Sequence, residues 1–146
     1  RLRHGSCAGS VARSSCPETD PMPSRGSLVA SFRNASSGLG QLLRTQRNAR
    51  IHLAITLAVI GVSSWLGLST GDWAVLALAA AMVWTAELIN SALEAVVDLA
   101  TKEWQPLARD AKDLGAAAVL MAAVGAAAVG ALVLGPPLVR RVFWSP

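Results

Sequence analysis

Charge is scarce in this chain. Asp, Glu, Lys and Arg make up 15% of its 146 residues, where soluble domains carry ~25%. Hydrophobic residues make up 53%, and mean hydropathy is +0.45. That excludes a disordered chain and does not fit an ordinary soluble enzyme. Acid is scarcer still in residues 1–50, where Glu18 and Asp20 stand against eight arginines. A basic head on an apolar body points to a membrane protein with its basic side on anionic headgroups, not to a nucleic-acid binder. Only two cysteines occur, Cys7 and Cys16. They exclude a disulfide framework and, by themselves, a zinc site. Residues 1–26 hold no apolar run longer than three, so they contain no secretory h-region of roughly 7–15 residues. There is also no GxxxxGK[ST] loop and no kinase glycine loop, which sets aside the two common nucleotide cradles.

The length implies one domain. Residues 1–26, rich in Ser, Gly and Pro, read as a disordered head, and with Arg1 in first place the sequence is expected to be either a fragment or one begun upstream of its true start. Met22 is expected to be the true start, because ordered patterning begins a few residues later. Leu28, Val29, Phe32, Ala35, Leu39, Leu42 and Leu43 then recur at helical spacing, with Arg33, Asn34, Ser37, Gln41 and Arg44 largely elsewhere on the wheel. This predicts an amphipathic helix lying in the membrane interface. Taken alone, the segment fits the core-facing helix of a soluble bundle equally well. The long apolar spans C-terminal to it decide against that.

There are three such spans. The first is Leu53–Leu68, or Ile51–Leu68 at its longest, ended by the turn Ser69-Thr70-Gly71-Asp72. The second starts at Trp73, is uncharged through Ala86, and continues its helical pattern to about Ala100. At ~1.5 Å per residue, Trp73–Leu99 covers roughly 40 Å, enough to cross a ~30 Å hydrocarbon core and project beyond it. The third, Leu114–Leu134, has 21 uncharged residues rich in Ala and Gly, and Gly135-Pro136-Pro137 is expected to stop it. Small residues let helices pack closely in lipid. The prediction is an all-α integral membrane protein of three transmembrane helices plus the interfacial helix, assembled as an oligomer because three spans enclose little interior. Arg33, Arg44, Arg47 and Arg50 before the first span, and Lys102, Arg109 and Lys112 between the second and third, place the amino end and residues 100–113 in the cytoplasm. The carboxyl end then lies outside with Arg140 and Arg141, against the charge rule. Trp65, Trp73 and Trp144 would form the outer aromatic belt.

The chemistry is concentrated in Ala86–Asp98. Glu87, Asn90, Glu94 and Asp98 stand at i, i+3, i+7 and i+11. At ~3.6 residues per turn they fall within about 80° on one helical face and climb roughly 16 Å along it. An acid within a span costs a few kcal/mol and persists where it faces the bundle interior. A stripe that only joins helices by hydrogen bonds is the plain alternative. Oxygen ligands without cysteine or histidine suit Mg²⁺ better than zinc, and a buried carboxylate suits a general base. Lys112 is a phosphate partner or an ordinary snorkelling lysine. Acids for a metal, a base near the interface and a lysine together point to phosphoryl transfer from a nucleotide to a lipid hydroxyl.

At these residues the chain resembles the prokaryotic diacylglycerol kinase/undecaprenol kinase family. Glu87-Leu88-Ile89-Asn90-Ser91-Ala92-Leu93-Glu94-Ala95-Val96-Val97-Asp98 follows the signature E-x-x-N-[ST]-A-x-E-x-x-V-D. Ala111-Lys112-Asp113, with Ala116 to Val119, follows a second signature. Asn48-Ala49-Arg50-Ile51-His52 is similar to N-x-R-I-H, and Ser31-Phe32-Arg33 with Gly38 to the family's first helix. The likeness covers about Ser27 to Leu134.

The resemblance implies a lipid-kinase domain over residues 27–134, followed by a short tail, 135–146. It implies a homotrimer in the cell membrane with sites shared between subunits, ATP and a lipid alcohol as substrates, and Mg²⁺ as cofactor. By position, Glu87 is the general base and Asn90 its support. Glu94 is a metal ligand. Lys112 and Asp113 contact the nucleotide, with Glu103 to Gln105 near it. The second metal ligand is expected to be Glu, but Gln46 stands there, and an amide offers a carbonyl oxygen without charge. Trp104, Gln105 and Asn34 also depart from the pattern. Diacylglycerol and undecaprenol both present one primary hydroxyl at the interface, and the sequence does not choose between them. The competing class is a non-catalytic oligomeric membrane protein or a degenerate kinase, favoured by Gln46 and opposed by the intact stripe.

Overall fold

A computed structural model describes residues 28–143. The reading of residues 1–26 as a disordered head, of Met22 as the start, and of Trp144 as a belt residue falls outside them. The described chain is all-helical: α1 Leu28–Thr45, α2 Arg47–Leu66, α3 Thr70–Ala100 and α4 Pro106–Phe143. The last three are long and apolar enough to cross a membrane. Their apolar side chains, among them Leu57, Leu78, Met82, Leu120, Met121 and Leu132, are mostly exposed. Such exposure is unstable in water and natural in lipid. The protein is a multi-pass membrane protein.

α1 runs through Gly38 and Gly40 without a break. Leu28, Val29 and Phe32 stand fully out, and only Leu42 is buried, close to the junction with α2. An apolar face open along most of its length is what an interfacial helix needs and what a soluble bundle would cover. At Gln46 the backbone turns extended, with φ −99° and ψ 121°. Its N–H still donates to Leu42 O, at 2.8 Å. That single residue separates α1 from α2 and leaves its side chain free to reach elsewhere.

α2 begins six residues before the apolar run and ends two earlier than the run suggested. Gly67 stops it in the left-handed region, φ 66°, where a Cβ is costly. Its N–H closes on Ser64 O at 3.3 Å. The expected turn at 69–72 is shorter than four residues. Ser69 is the N-cap of α3, and Thr70, Gly71 and Asp72 already belong to the helix. Ser69 Oγ accepts from Asp72 N at 3.3 Å, and Asp72 Oδ2 accepts from Ser69 N at 3.2 Å. This reciprocal capping box satisfies two donors that a helix start otherwise leaves open.

The expectation that Gly135-Pro136-Pro137 ends the third span is wrong: α4 continues through both prolines to Phe143. Each proline removes a donor, but its φ is compatible with a helix. Gly135 ahead of the pair has no Cβ to meet the Pro136 ring, and membrane helices tolerate proline well. At the other end Pro106 opens α4, where no N–H is needed.

α3 and α4 pack against each other along most of their length, and α2 lies against both. α3 is antiparallel to its neighbours. Trp84 Nε1 donates to Thr56 Oγ1 at 3.2 Å midway along α2, while Gln46 meets Glu94 at one end. The buried apolar set is small: Leu42, Ala49, Leu76, Val83 and Val119. Within it sit Ser63, Glu87 and Asn90, equally buried.

Candidate functional site

The residues singled out in the sequence fall into two groups at one end of the bundle. α3 supplies the first. Its helical period puts Glu87, Asn90 and Glu94 on the face that meets α2 and α4. Glu87 is 2% exposed, and its Oε2 is buried without a hydrogen-bond partner. One turn on, Asn90 Nδ2 donates to Glu94 Oε1 at 3.2 Å, while Asn90 Oδ1 is buried and unpaired. Gln46 Nε2 reaches over from the α1–α2 break and donates to Glu94 Oε2, also at 3.2 Å. Both oxygens of the half-buried Glu94 are therefore held by amides. The unusual residue at position 46 lies where the expected Glu would have brought a second carboxylate against the first.

Unpaired buried acceptors are costly, at ~1–3 kcal/mol each, and a native protein keeps them where a substrate, ion or proton completes them. Glu87 Oε2 and Asn90 Oδ1 are two such atoms one turn apart.

The second group surrounds the α3–α4 connection. Thr101 ends α3 in extended conformation, and its Oγ1 accepts from Glu103 N at 3.1 Å, closing the turn. An open cleft of about 680 Å³ lies here, lined by Asp98, Lys102, Glu103, Gln105, Lys112 and Asp113 among others. Lys112 Nζ donates to Asp98 Oδ1 at 2.5 Å. Arg109 and Asp113 pair along α4 at 3.4 Å, both largely exposed. The cleft thus brings Lys112, Asp113, Glu103 and Gln105 together, and no hydrogen bond links them to Glu87, Asn90 or Glu94. Asp98, one turn beyond Glu94 on the same face, lies between the two groups.

Two features were not picked out from the sequence. Asp98 was read as the upper end of the stripe, not as the partner of Lys112. Gly115 went unnoticed in an Ala-rich run. A Cβ there would run into the Asn90 amide and come 3.1 Å from Leu93 Cδ2. Its bare backbone is what lets α4 approach Asn90.

A hard divalent cation fits the first group. Among the described residues no three His, Cys, Asp or Glu side chains gather as a metal cage. Mg²⁺ does not require one: it takes one or two protein carboxylates and completes its shell with water and substrate phosphates. Glu94 is a carboxylate of that kind; Gln46 and Asn90 turn amide nitrogens to it, and Gln46 would have to flip its amide to add a carbonyl oxygen.

The chain matches the family model described as prokaryotic diacylglycerol kinase over residues 33–134. It is 47% identical over 112 residues to a diacylglycerol kinase of Synechocystis sp., covering 76% of this chain and 64% of that one. It is 37% identical over 108 residues to the undecaprenol kinase of Bacillus subtilis, covering 74% and 88%. Against the diacylglycerol kinase of Escherichia coli K12 the identity is 39% over 72 residues, 49% of this chain and 58% of the relative. The matched segment thus spans less than two thirds of two of these relatives and most of the third.

Proposed function

This chain belongs to the prokaryotic diacylglycerol kinase family, a family of lipid kinases, and from that premise we propose that it transfers the γ-phosphoryl group of ATP to the primary hydroxyl of a membrane lipid. The observation that supports this most directly is Glu87: a carboxylate inside a membrane helix, buried, with an oxygen that nothing among the described residues satisfies.

In this reading the lipid hydroxyl donates its hydrogen bond to Glu87. As the hydroxyl oxygen forms its bond to the γ-phosphorus, its proton passes to the Glu87 carboxylate. The bond from the γ-phosphorus to the β,γ-bridging oxygen breaks, and ADP leaves with that electron pair. Asn90 holds Glu94 through its Nδ2, and its Oδ1 packs against Gly115 of α4. Glu94, with Gln46 offering a carbonyl oxygen, would hold Mg²⁺, which when bound neutralises charge on the phosphates. Lys112 leaves Asp98 to meet phosphate oxygens. Asp113, Glu103 and Gln105 shape the cleft that receives the nucleotide. Such transfer depends mainly on positioning and charge, so few side chains suffice.

The site faces the cytoplasm of the cell membrane, a placement supported by the Lys and Arg residues around the first span and the 100–113 segment. The active assembly is a homotrimer whose neighbouring copies complete the open sides of the site. The lipid is diacylglycerol or undecaprenol, for both offer the same hydroxyl.

The test is transfer of labelled phosphate from ATP with Mg²⁺ by purified protein in mixed micelles, with each lipid offered separately. Turnover on one lipid, reduced at least ~10²-fold in Glu87→Gln, is the expected result. Absence of product on both lipids from an intact oligomer would favour the second reading, a degenerate kinase, which rests on the neutral Gln46.

A further inference from the structure

The far end of α4 lies outside the groups of residues given a part in this chemistry. At ~1.5 Å per residue, roughly 43 Å of helix separates Lys112 from Arg141, which matches the ~40–45 Å between the two headgroup layers of a bilayer. Arg141 therefore lies in the layer opposite the cleft. α2 gives the same level independently: the Arg141 guanidinium sits over the Trp65 ring, 5.8 Å from its centroid, one turn from the Gly67 stop.

Beyond the two prolines the helix becomes amphipathic. Leu138, Val139, Val142 and Phe143 fall on one side of the wheel, and all are open to the surroundings. Arg140 and Arg141 fall on the other. Neither arginine takes part in an ion pair among the described residues. The nearest acid in the turn on this side, Asp72, is already engaged in the Ser69 capping box. Two adjacent cations thus stand on the side where the positive-inside rule disfavours them, with no carboxylate among the described residues answering them.

We propose that Arg140 and Arg141, with Trp65, form a binding site for the phosphodiester headgroup of an anionic phospholipid in the leaflet opposite the catalytic stripe. The guanidinium fork takes phosphate oxygens bidentately. Trp65 fixes the Arg141 fork through its ring face, and the apolar side of Leu138–Phe143 covers the acyl chains next to the headgroup. The site anchors the depth of α4 in the membrane and does not depend on the kinase reading.

The probe is spin-labelled phosphatidylglycerol, with spin-labelled phosphatidylcholine as reference, and full-length protein in phosphatidylcholine nanodiscs. The motionally restricted fraction of phosphatidylglycerol should exceed that of phosphatidylcholine. Arg140→Gln and Arg141→Gln should each weaken the component they contribute about fivefold, leaving the phosphatidylcholine fraction and lipid-kinase turnover unchanged. Phosphatidylglycerol should raise the thermal midpoint of the wild type more than that of the double variant, and the two should melt alike in pure phosphatidylcholine. Trp65→Leu should weaken retention less than loss of Arg141. An unchanged phosphatidylglycerol excess in the double variant overturns the proposal. So does displacement of the lipid by inorganic phosphate at matched ionic strength, which would make the ligand a free anion.

Discussion

The two halves of α3 are made from the same helix and do opposite things. The half from Ser69 to Val83 closes on itself. Its start is satisfied by a reciprocal Ser69–Asp72 cap, and its buried residues are Leu76 and Val83. The half from Glu87 to Asp98 buries a carboxylate and an amide with acceptors left over, and its remaining acids look outward for partners, Glu94 to Gln46 and Asp98 to Lys112. One half is complete as a single chain, whereas the other leaves buried acceptors open. On the proposed function stability is drawn from the first and chemistry from the second, so the effects of mutation should divide along the same line.

The largest effect that sharpens this division is expected at Gly115. Gly115→Ala places a methyl against the Asn90 amide and Leu93. Either α4 shifts away, or Asn90 swings and gives up its bond to Glu94. Displacements of about an ångström at a positioned site can cost up to ~10²-fold in rate, so turnover should fall by roughly tenfold or more. Gly130→Ala is the control, because a Cβ there meets nothing within 4 Å. Equal kinetic losses in the two variants would show that helix packing in general, not Asn90, is being read.

Next comes Gln46→Glu. The substitution replaces an amide that donates to Glu94 with a carboxylate that repels it. Without divalent cation the thermal midpoint should drop, and with Mg²⁺ it should recover past the wild type. The Mg²⁺ concentration for half-maximal turnover should fall. An unchanged or raised requirement would mean that position 46 takes no part in holding the ion.

The contrast between the halves was legible in the sequence to the extent that it depends on residue identity at helical spacing. Four polar residues within 80° of one face of an apolar helix are visible without coordinates, and so are three spans and an amphipathic lead-in. What was not legible depends on how two helices meet. Asp98 could be placed on the stripe, but its pairing with Lys112 requires the return angle of α4. Gly115 is one of several small residues in its span, and only the approach of α4 to Asn90 distinguishes it. The Gly-Pro-Pro stop failed for a local reason: proline removes donors without forbidding helical φ, and in a membrane helix the remaining bonds suffice. The turn at 69–72 was misread because Ser and Asp three residues apart are also the signature of a helix start.

The smallest effect is expected at Ser69→Ala, and it probes the other side of the comparison. Removing the hydroxyl leaves Asp72 N without its acceptor and Asp72 Oδ2 without one of its donors. Loss of an N-cap costs ~1 kcal/mol, read as a lower thermal midpoint in detergent. The cap and the Glu87–Asp98 stripe share no hydrogen bond and lie more than four helical turns apart, at ~3.6 residues per turn. KM for ATP and turnover below the melting range should therefore match the wild type. A fall in turnover in step with the fall in stability would break the division, because it would mean that the self-contained half of α3 also sets the position of the half that reacts.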